Sequence, residues 1–150
     1  MGFMSKLKSA VNTLTGGGAK VFITVEQPSR SEPFTAKVNV KVADSDLQIN
    51  RAYVRLSGWE TAVVHNVRQG QETYAHDVTE TATTFEQEIQ IANAQTLQAN
   101  QEYNWEAQIE LPPTAPPTYR GRNATHEIRI LAGLDTKGND PDSGWSALSV

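Results

Sequence analysis

The 150-residue sequence contains no cysteine. Disulfides, thiolate metal sites and cysteine nucleophiles are therefore excluded, and an unstapled domain fits a reducing compartment. No staple is needed, because a domain of this length buries roughly 70% of the surface its unfolded chain exposes. An excess of positive charge is also missing. Thirteen Lys and Arg stand against 17 Asp and Glu, for a net charge of -4, and they are dispersed along the chain. No basic stripe is set up to neutralise phosphates, so nucleic acid is not an expected partner. No apolar run approaches the ~20 residues of a membrane span. The opening MGFMSKLKSAVNTL alternates polar and apolar residues where a secretory signal needs an unbroken apolar core, and the expected location is cytoplasmic.

Catalytic signatures are missing as well. There is no HExxH, GxSxG elbow, P-loop or dinucleotide fingerprint. His65, His76 and His126 are scattered without ligand spacing. Glu86 and Glu88 share one strand face, as on a solvated surface, whereas a catalytic pair needs two different environments. No catalytic residue, cofactor or metal is assigned, and the chain is expected not to be an enzyme. The carboxylate-rich segment Asp135-Thr-Lys-Gly-Asn-Asp-Pro-Asp-Ser-Gly144 does not fit the EF-hand loop. Its composition is that of turns, and it predicts a hairpin. Asn123-Ala-Thr125 matches a glycosylation acceptor, but without a signal segment it is read as inert. Met1-Gly2 lacks the Ser or Thr that myristoylation requires at the sixth position, where Lys6 stands.

What is present divides at the glycines. Phe3, Met4, Leu7, Val11 and Leu14 recur at three- and four-residue steps, which predicts a short amphipathic helix over 1–15. Gly16, Gly17 and Gly18 end it, giving a linker over 16–19. From residue 20 to 150 the period is two. Val21, Ile23 and Val25, then Ala36, Val38, Val40 and Val42, then Ala52, Val54 and Leu56 each share a face. Phe85, Ile89 and Ile91, then Tyr103, Trp105, Ala107, Ile109 and Leu111, then Ile128, Ile130, Ala132 and Leu134 do the same. Short alternating strands broken by Pro, Gly, Asn and Asp predict an all-β, antiparallel β-sandwich of immunoglobulin-like type.

Two features point to binding rather than chemistry. The helix face of Phe3, Met4, Leu7, Val11 and Leu14 is expected to pack on the sandwich or on a second copy. An external protein or a membrane surface, with Lys6 and Lys8 near the headgroups, are the other occupants considered. Homo-oligomers through this helix or through edge strands are the expected assembly. The segment Leu111-Pro-Pro-Thr-Ala-Pro-Pro-Thr-Tyr119 must leave the sheet, since proline lacks the ladder donor. Its Pro116, Pro117 and Tyr119 form a PPxY string of the kind WW domains recognise, although a rigid connection is the preferred reading. Among the tryptophans, Trp105 is in phase with the core, whereas Trp59 is on the polar phase and is the better stacking platform for a sugar, ahead of Trp145.

The stretch Tyr103 to Gly121, followed by Ile128-Arg-Ile-Leu-Ala-Gly-Leu-Asp135, resembles an arrestin-like lobe. In that family a strand ends in Leu-Pro, a proline-rich crossing follows, and the next strand ends in an Asp-bearing hairpin. The strands Val-Asn-Val-Lys-Val42 and Ala-Tyr-Val-Arg-Leu-Ser-Gly58 are similar to the family's opening strands. The amphipathic segment before a glycine linker is similar to the bacterial sporulation-control members. The resemblance implies a non-enzymatic, protein-binding adaptor or scaffold in bacterial stress or developmental regulation, with no cofactor and a partner of unknown identity. A self-assembling structural subunit and a carbohydrate-binding sandwich are the alternatives. Arrestin-like proteins usually have two lobes. Trp145-Ser-Ala-Leu-Ser-Val150 stops in mid-strand by pattern, as one lobe of a longer chain would.

Overall fold

The period-two segments pair as a two-layer sandwich in the computed structural model, which describes residues 6–9, 18–68, 70 and 74–150. Ten strands follow in chain order: β1 (Lys6–Ser9), β2 (Ala19–Glu26), β3 (Phe34–Val42), β4 (Leu47–Val67), β5 (His76–Ala92), β6 (Gln95–Leu97), β7 (Glu102–Ile109), β8 (Tyr119–Arg120), β9 (Ala124–Thr136) and β10 (Ser146–Leu148). One sheet has the order β1-β2-β3-β7. The other has the order β10-β9-β4-β5, with β6 added to β4 and β8 added to β9. The strand pairings are antiparallel. The architecture is thus the all-β, antiparallel sandwich that the alternation predicts.

The N-terminal expectation is corrected over four residues. Lys6–Ser9, inside the segment expected to be helical, form a strand paired with β2 from Lys6↔Glu26 to Ser9↔Ile23. Lys-Leu-Lys-Ser fits a period of two as well as a helical step. A short isolated helix is marginal in water, whereas the edge of β2 offers a ready ladder of backbone partners. Among the described residues there is no helix, hence none long and apolar enough to cross a membrane. Leu7 lies in β1, while Phe3, Met4, Val11 and Leu14 lie outside the described residues.

The inward faces meet in one core. The four-stranded sheet contributes Val21, Ile23, Val25, Phe34, Val38, Val40 and Ile109, and the six-stranded sheet Ile49, Val54, Leu56, Ile128, Ile130, Leu134 and Leu148. Each large side chain buried in this way contributes roughly 1.5–3 kcal/mol. β4 is the organising strand. It pairs with β5 on one side and with β9 on the other, and its 21 residues outrun both the opposite sheet and β9. Pairing with β9 stops at Ala62↔Ala124. Beyond that point only β5 accompanies it, through Val63↔Thr79, Val64↔Val78 and Val67↔His76. A two-stranded arm therefore projects from the end of the sandwich.

Candidate interaction surface

Among the described residues, the arm and the outer edge of β5 pair with no further strand. β5 is the last strand in its sheet's order, and from His76 to Thr84 every residue except the half-buried Val78 is exposed. Edges are normally blunted by proline, lysine or bulges. His76–Ala92 has neither proline nor lysine, and no arginine or glycine; of these devices it carries only bulges, at Thr84 and Ile91. Val64 (55% exposed) and Tyr74 (81% exposed) add apolar surface at the arm. The arm is tied to the chain ahead of β9 by the Val63 N–H, which donates to Asn123 O at 2.7 Å, and by a side-chain cluster. His65 Nδ1 lies 3.1 Å from Asp77 Oδ2, and its Nε2 lies 3.0 Å from Asn123 Oδ1. Asp77 Oδ1 also accepts the backbone N–H of Asn66 at 3.3 Å, beside the irregularity between Val64 and Val67. Oxygens facing both ring nitrogens favour the doubly protonated imidazolium. The His65 pKa is raised, first by the Asp77 hydrogen bond and then by Asn123. The Asp77 pKa is lowered, first by His65 and then by the Asn66 N–H.

A bulge sets the base of the arm. Gly58 faces Phe85 while Trp59 faces Thr83, so Thr84 is the extra residue on β5. A Cβ on Gly58 would lie 2.5 Å from both Phe85 Cε1 and Thr84 Oγ1, so only glycine admits this approach. Thr84 Oγ1 lies 2.8 Å from Nε2 of His126, which is 1% exposed. The other ring nitrogen, Nδ1, lies 3.0 Å from the carbonyl oxygen of Pro117. A carbonyl only accepts, so His126 carries a proton on Nδ1, and its Nε2 is hydrogen-bonded to the Thr84 hydroxyl. His126 thus ties β5, β9 and the proline crossing together, with both ring nitrogens used internally.

The proline crossing is fastened at several points. Ala115, buried, donates its N–H to Pro112 O at 2.9 Å, and the Thr118 N–H reaches Val150 O at 2.8 Å. Tyr119 and Arg120 pair with His126 and Thr125 of β9. Of the PPxY residues, Pro116 is half-buried and Pro117 and Tyr119 are exposed. Tyr119 sits in a strand, and the Pro117 carbonyl is engaged by His126.

The outer face of the six-stranded sheet is closed by charge lattices. The guanidiniums of Arg51 and Arg55 lie 4.7 and 5.0 Å from the Tyr53 ring centroid. Glu88 accepts from Arg51 at 2.8 Å and from Arg55 at 2.8 Å, which lowers its pKa. Burial raises the pKa of the Tyr53 phenol. Its oxygen would lie 2.5 Å from a Cβ on Gly133, so the absence of a side chain there lets the ring lie flat across β9. Trp59 does not offer an open platform. Its Nε1 donates to Ser57 Oγ, and Arg129, itself held by Glu127 at 2.7 Å, covers its ring at 4.3 Å. Trp105 stacks on Tyr103 with centroids 6.0 Å apart and packs on the core. Trp145 is 39% exposed. Neither the Trp59–Arg129 stack nor the buried His126 link is visible as a motif, because both depend on strand register.

In the 135–144 segment the chain turns and runs back along β9. The Leu134 N–H donates to Pro141 O at 3.0 Å, and Ser143 N–H to Ala132 O at 2.9 Å. Asp140 Oδ1 accepts the Thr136 N–H at 2.9 Å, and Asp142 Oδ1 accepts the Gly144 N–H at 2.8 Å. These carboxylates are spent on the turn. Among the described residues no three His, Asp or Glu side chains gather as a ligand set.

Comparison with known proteins places this geometry. A family model described as SpoOM protein (Spo0M) matches residues 7–143. The crystal structure of Spo0M, the sporulation control protein from Bacillus subtilis, superposes with a TM-score of 0.63 at 20% identity, covering 89% of this chain and 49% of that one. The chain thus spans about half the length of that solved protein. The search of curated proteins returned no match.

Proposed function

Since the chain belongs to the Spo0M family, we propose that it is a non-catalytic adaptor in the control of bacterial development, and that it binds a protein partner by strand addition along β5. Family membership supports the developmental setting. The observation that carries the binding mode is the long β5 edge, free of proline and lysine and continued into an exposed arm. An extended peptide added there gains main-chain hydrogen bonds, while pockets for alternate side chains give specificity. The remaining polar groups support a binding role: both nitrogens of the buried His126 are committed internally, and Arg51, Arg55 and Arg129 are neutralised by neighbouring carboxylates.

Hydrogen exchange tests the reading. A partner captured by the full chain from sporulating cells should slow exchange at β5 amides between residues 76 and 84. Protection elsewhere, with these amides unchanged, rejects strand addition. A second reading, self-assembly, is favoured by the sequence of the same edge. Antiparallel pairing of two β5 strands centred on Thr81 would place Thr79 opposite Thr83 and Glu80 opposite Ala82, with no like charges facing across the ladder. Protection of the same amides that rises with protein concentration, in the absence of partner, would identify this second reading.

A further inference from the structure

The free edge of β5 carries charge that its neighbours only partly cancel. His76–Ala92 holds Asp77, Glu80, Glu86 and Glu88, and no Lys or Arg. Two of these carboxylates are answered within the fold. Asp77 meets His65 at 3.1 Å, and Glu88 meets Arg51 and Arg55, each at 2.8 Å. Arg51 also reaches Asp135 at 3.5 Å, and Arg129 is held by Glu127 at 2.7 Å. On this outer face Arg51, Arg55 and Arg129 thus face Glu88, Asp135 and Glu127, and Glu86, opposite Ser57, is left over. Glu80 is on the other face of the arm, opposite Ala62, with Val78 opposite Val64 and Ala82 opposite Glu60. Both Glu80 and Glu86 are exposed, and neither forms an ion pair among the described residues. The only Lys or Arg between Trp59 and Glu86 is Arg68. It follows Val67 at the tip, roughly 15–20 Å along the arm from Ala62. Arg120, Arg122 and Arg129 have β4 between them and β5. The half-buried Gln87, which lines a cleft with Arg55, Glu86 and Glu88, adds a buried acceptor: its Oε1 has no hydrogen-bond partner, while its Nε2 donates to Glu110 O at 3.1 Å.

We propose that the strand added to β5 is a basic one: an extended segment of a protein partner with one Lys or Arg opposite Glu80 and a second opposite Glu86. This occupant presupposes strand addition along β5 and adds its chemistry. Opposite charges directly across a ladder stabilise it, and like charges destabilise it. The bulge fixes the spacing. Thr84 is the extra residue on β5, so the ladder partners of Glu80 and Glu86, Ala62 and Ser57, are five residues apart. A strand that follows this ladder needs its two cations five residues apart as well. An odd step puts them on opposite faces, as the placement of Glu80 and Glu86 requires. The positions between them alternate in the same way. Those beside Ala82 and Phe85 share the underside of the arm and suit apolar side chains, and those beside Thr81 and Thr83 suit polar ones. A second copy of β5 fits less well, because it brings the same carboxylates and no Lys or Arg.

The test is an NMR titration of the full chain with the peptide Lys-Val-Thr-Val-Thr-Lys-Thr-Val. Laid antiparallel to β5, it sets its lysines opposite Glu86 and Glu80 and its valines on the underside. Two peptides serve for comparison: Glu-Val-Thr-Val-Thr-Glu-Thr-Val, and Lys-Val-Thr-Val-Lys-Thr-Thr-Val, whose lysines are four apart and share a face. The first peptide should shift the amides of β5 and slow their exchange. An ion pair across a ladder is worth up to about fivefold in affinity, so reversing two should weaken binding by about tenfold or more. Misplacing one lysine should weaken it by about threefold, and added salt should narrow both gaps. Glu80→Gln with Glu86→Gln should bring the lysine and glutamate peptides to within about threefold of each other. Glu102→Gln with Glu106→Gln, an equal change of charge on β7, should leave the preference intact. Equal binding of the lysine and glutamate peptides along β5 overturns the basic occupant and leaves strand addition standing. Lysine-peptide binding that protects no β5 amide overturns both. No response of these amides to millimolar lysine peptide overturns the proposal, and exchange in the presence of the captured partner then decides strand addition by itself. Protection that rises with protein concentration and ignores the peptide assigns the edge to a second copy and likewise overturns it.

Discussion

Replacing Gly58 with alanine tests whether the bulge at the base of the arm is packed as tightly as the geometry indicates. The added Cβ would lie 2.5 Å from Phe85 Cε1 and from Thr84 Oγ1, against about 3.5–4.0 Å for a relaxed carbon contact. Two groups must each move by about 1 Å. The ring of Phe85 packs against the core, so its displacement is an overpacking cost of about 1–3 kcal/mol. Moving the Thr84 hydroxyl breaks its contact with buried His126, at about 1 kcal/mol. An opposing effect exists: alanine reduces the freedom of the unfolded chain, which stabilises by about 0.4–1 kcal/mol. Overpacking wins, leaving a net loss of about 2–3 kcal/mol. At this chain length each kcal/mol shifts the melting temperature by about 2–4 °C, so a drop of about 5–10 °C is expected by differential scanning calorimetry. Phe85→Leu in the same chain removes the ring edge that the Cβ meets. The pair should therefore be non-additive by about 1 kcal/mol or more. An unchanged melting temperature in Gly58→Ala, or strict additivity of the two substitutions, would refute the packing argument.

The His65–Asp77 contact has a pH window. The raised His65 pKa makes its contribution to arm order complete below the ordinary histidine value near 6.5, with loss as pH rises through the raised value. The lowered Asp77 pKa makes its contribution complete above its ordinary value near 3.8, with loss as pH falls through the lowered value. The clasp is therefore closed between about pH 4 and 6.5. An NMR titration should show His65 titrating above His65 in an Asp77→Asn chain; equal midpoints would mean that no clasp forms. At the 135–144 turn, Asp140→Ala should cost about 1 kcal/mol through the lost Thr136 N–H bond, read as a shift in the urea midpoint. Calorimetry with calcium should give no saturable heat below the millimolar range. A micromolar isotherm abolished by Asp140→Ala with Asp142→Ala would make this turn a cation site.

Which features are legible in the sequence follows from the range of the interactions that fix them. Val21, Ile23 and Val25, or Ile128, Ile130, Ala132 and Leu134, are buried by an alternation that a strand imposes on neighbouring residues, so local order suffices. The sandwich, its antiparallel sheets and the turn chemistry at Asp135–Gly144 are all readable in this way. The N-terminal segment is not, because Lys6–Ser9 satisfies two periods and the choice between them depends on the edge of β2, distant in sequence. Trp59 illustrates the same limit. Alternation puts it on the polar phase, but its ring is closed off by Arg129, which β9 brings alongside from seventy positions away. In the sequence, His126 is one of three scattered histidines. Its burial depends on the bulge at Gly58 delivering Thr84, and on the path of the proline crossing.

The pairing of β4 also shapes how the chain acquires its structure during synthesis. β4 and β5 are joined by a short connection, and hairpins of this kind form in about 1–10 μs. The strand on the other side of β4, β9, begins only at Ala124, some 32 residues after β5 ends at Ala92. At about 5–20 residues per second of translation, the hairpin waits roughly 2–6 s with the β9 side of β4 unpaired. Closing that long-range ladder then belongs to the slow class typical of sandwiches, in the millisecond-to-second range. For those seconds the nascent chain carries two open edges, one on each side of the hairpin. The vulnerable species in the life of this protein is therefore an early one, and a chaperone that shields β4 would act in this interval.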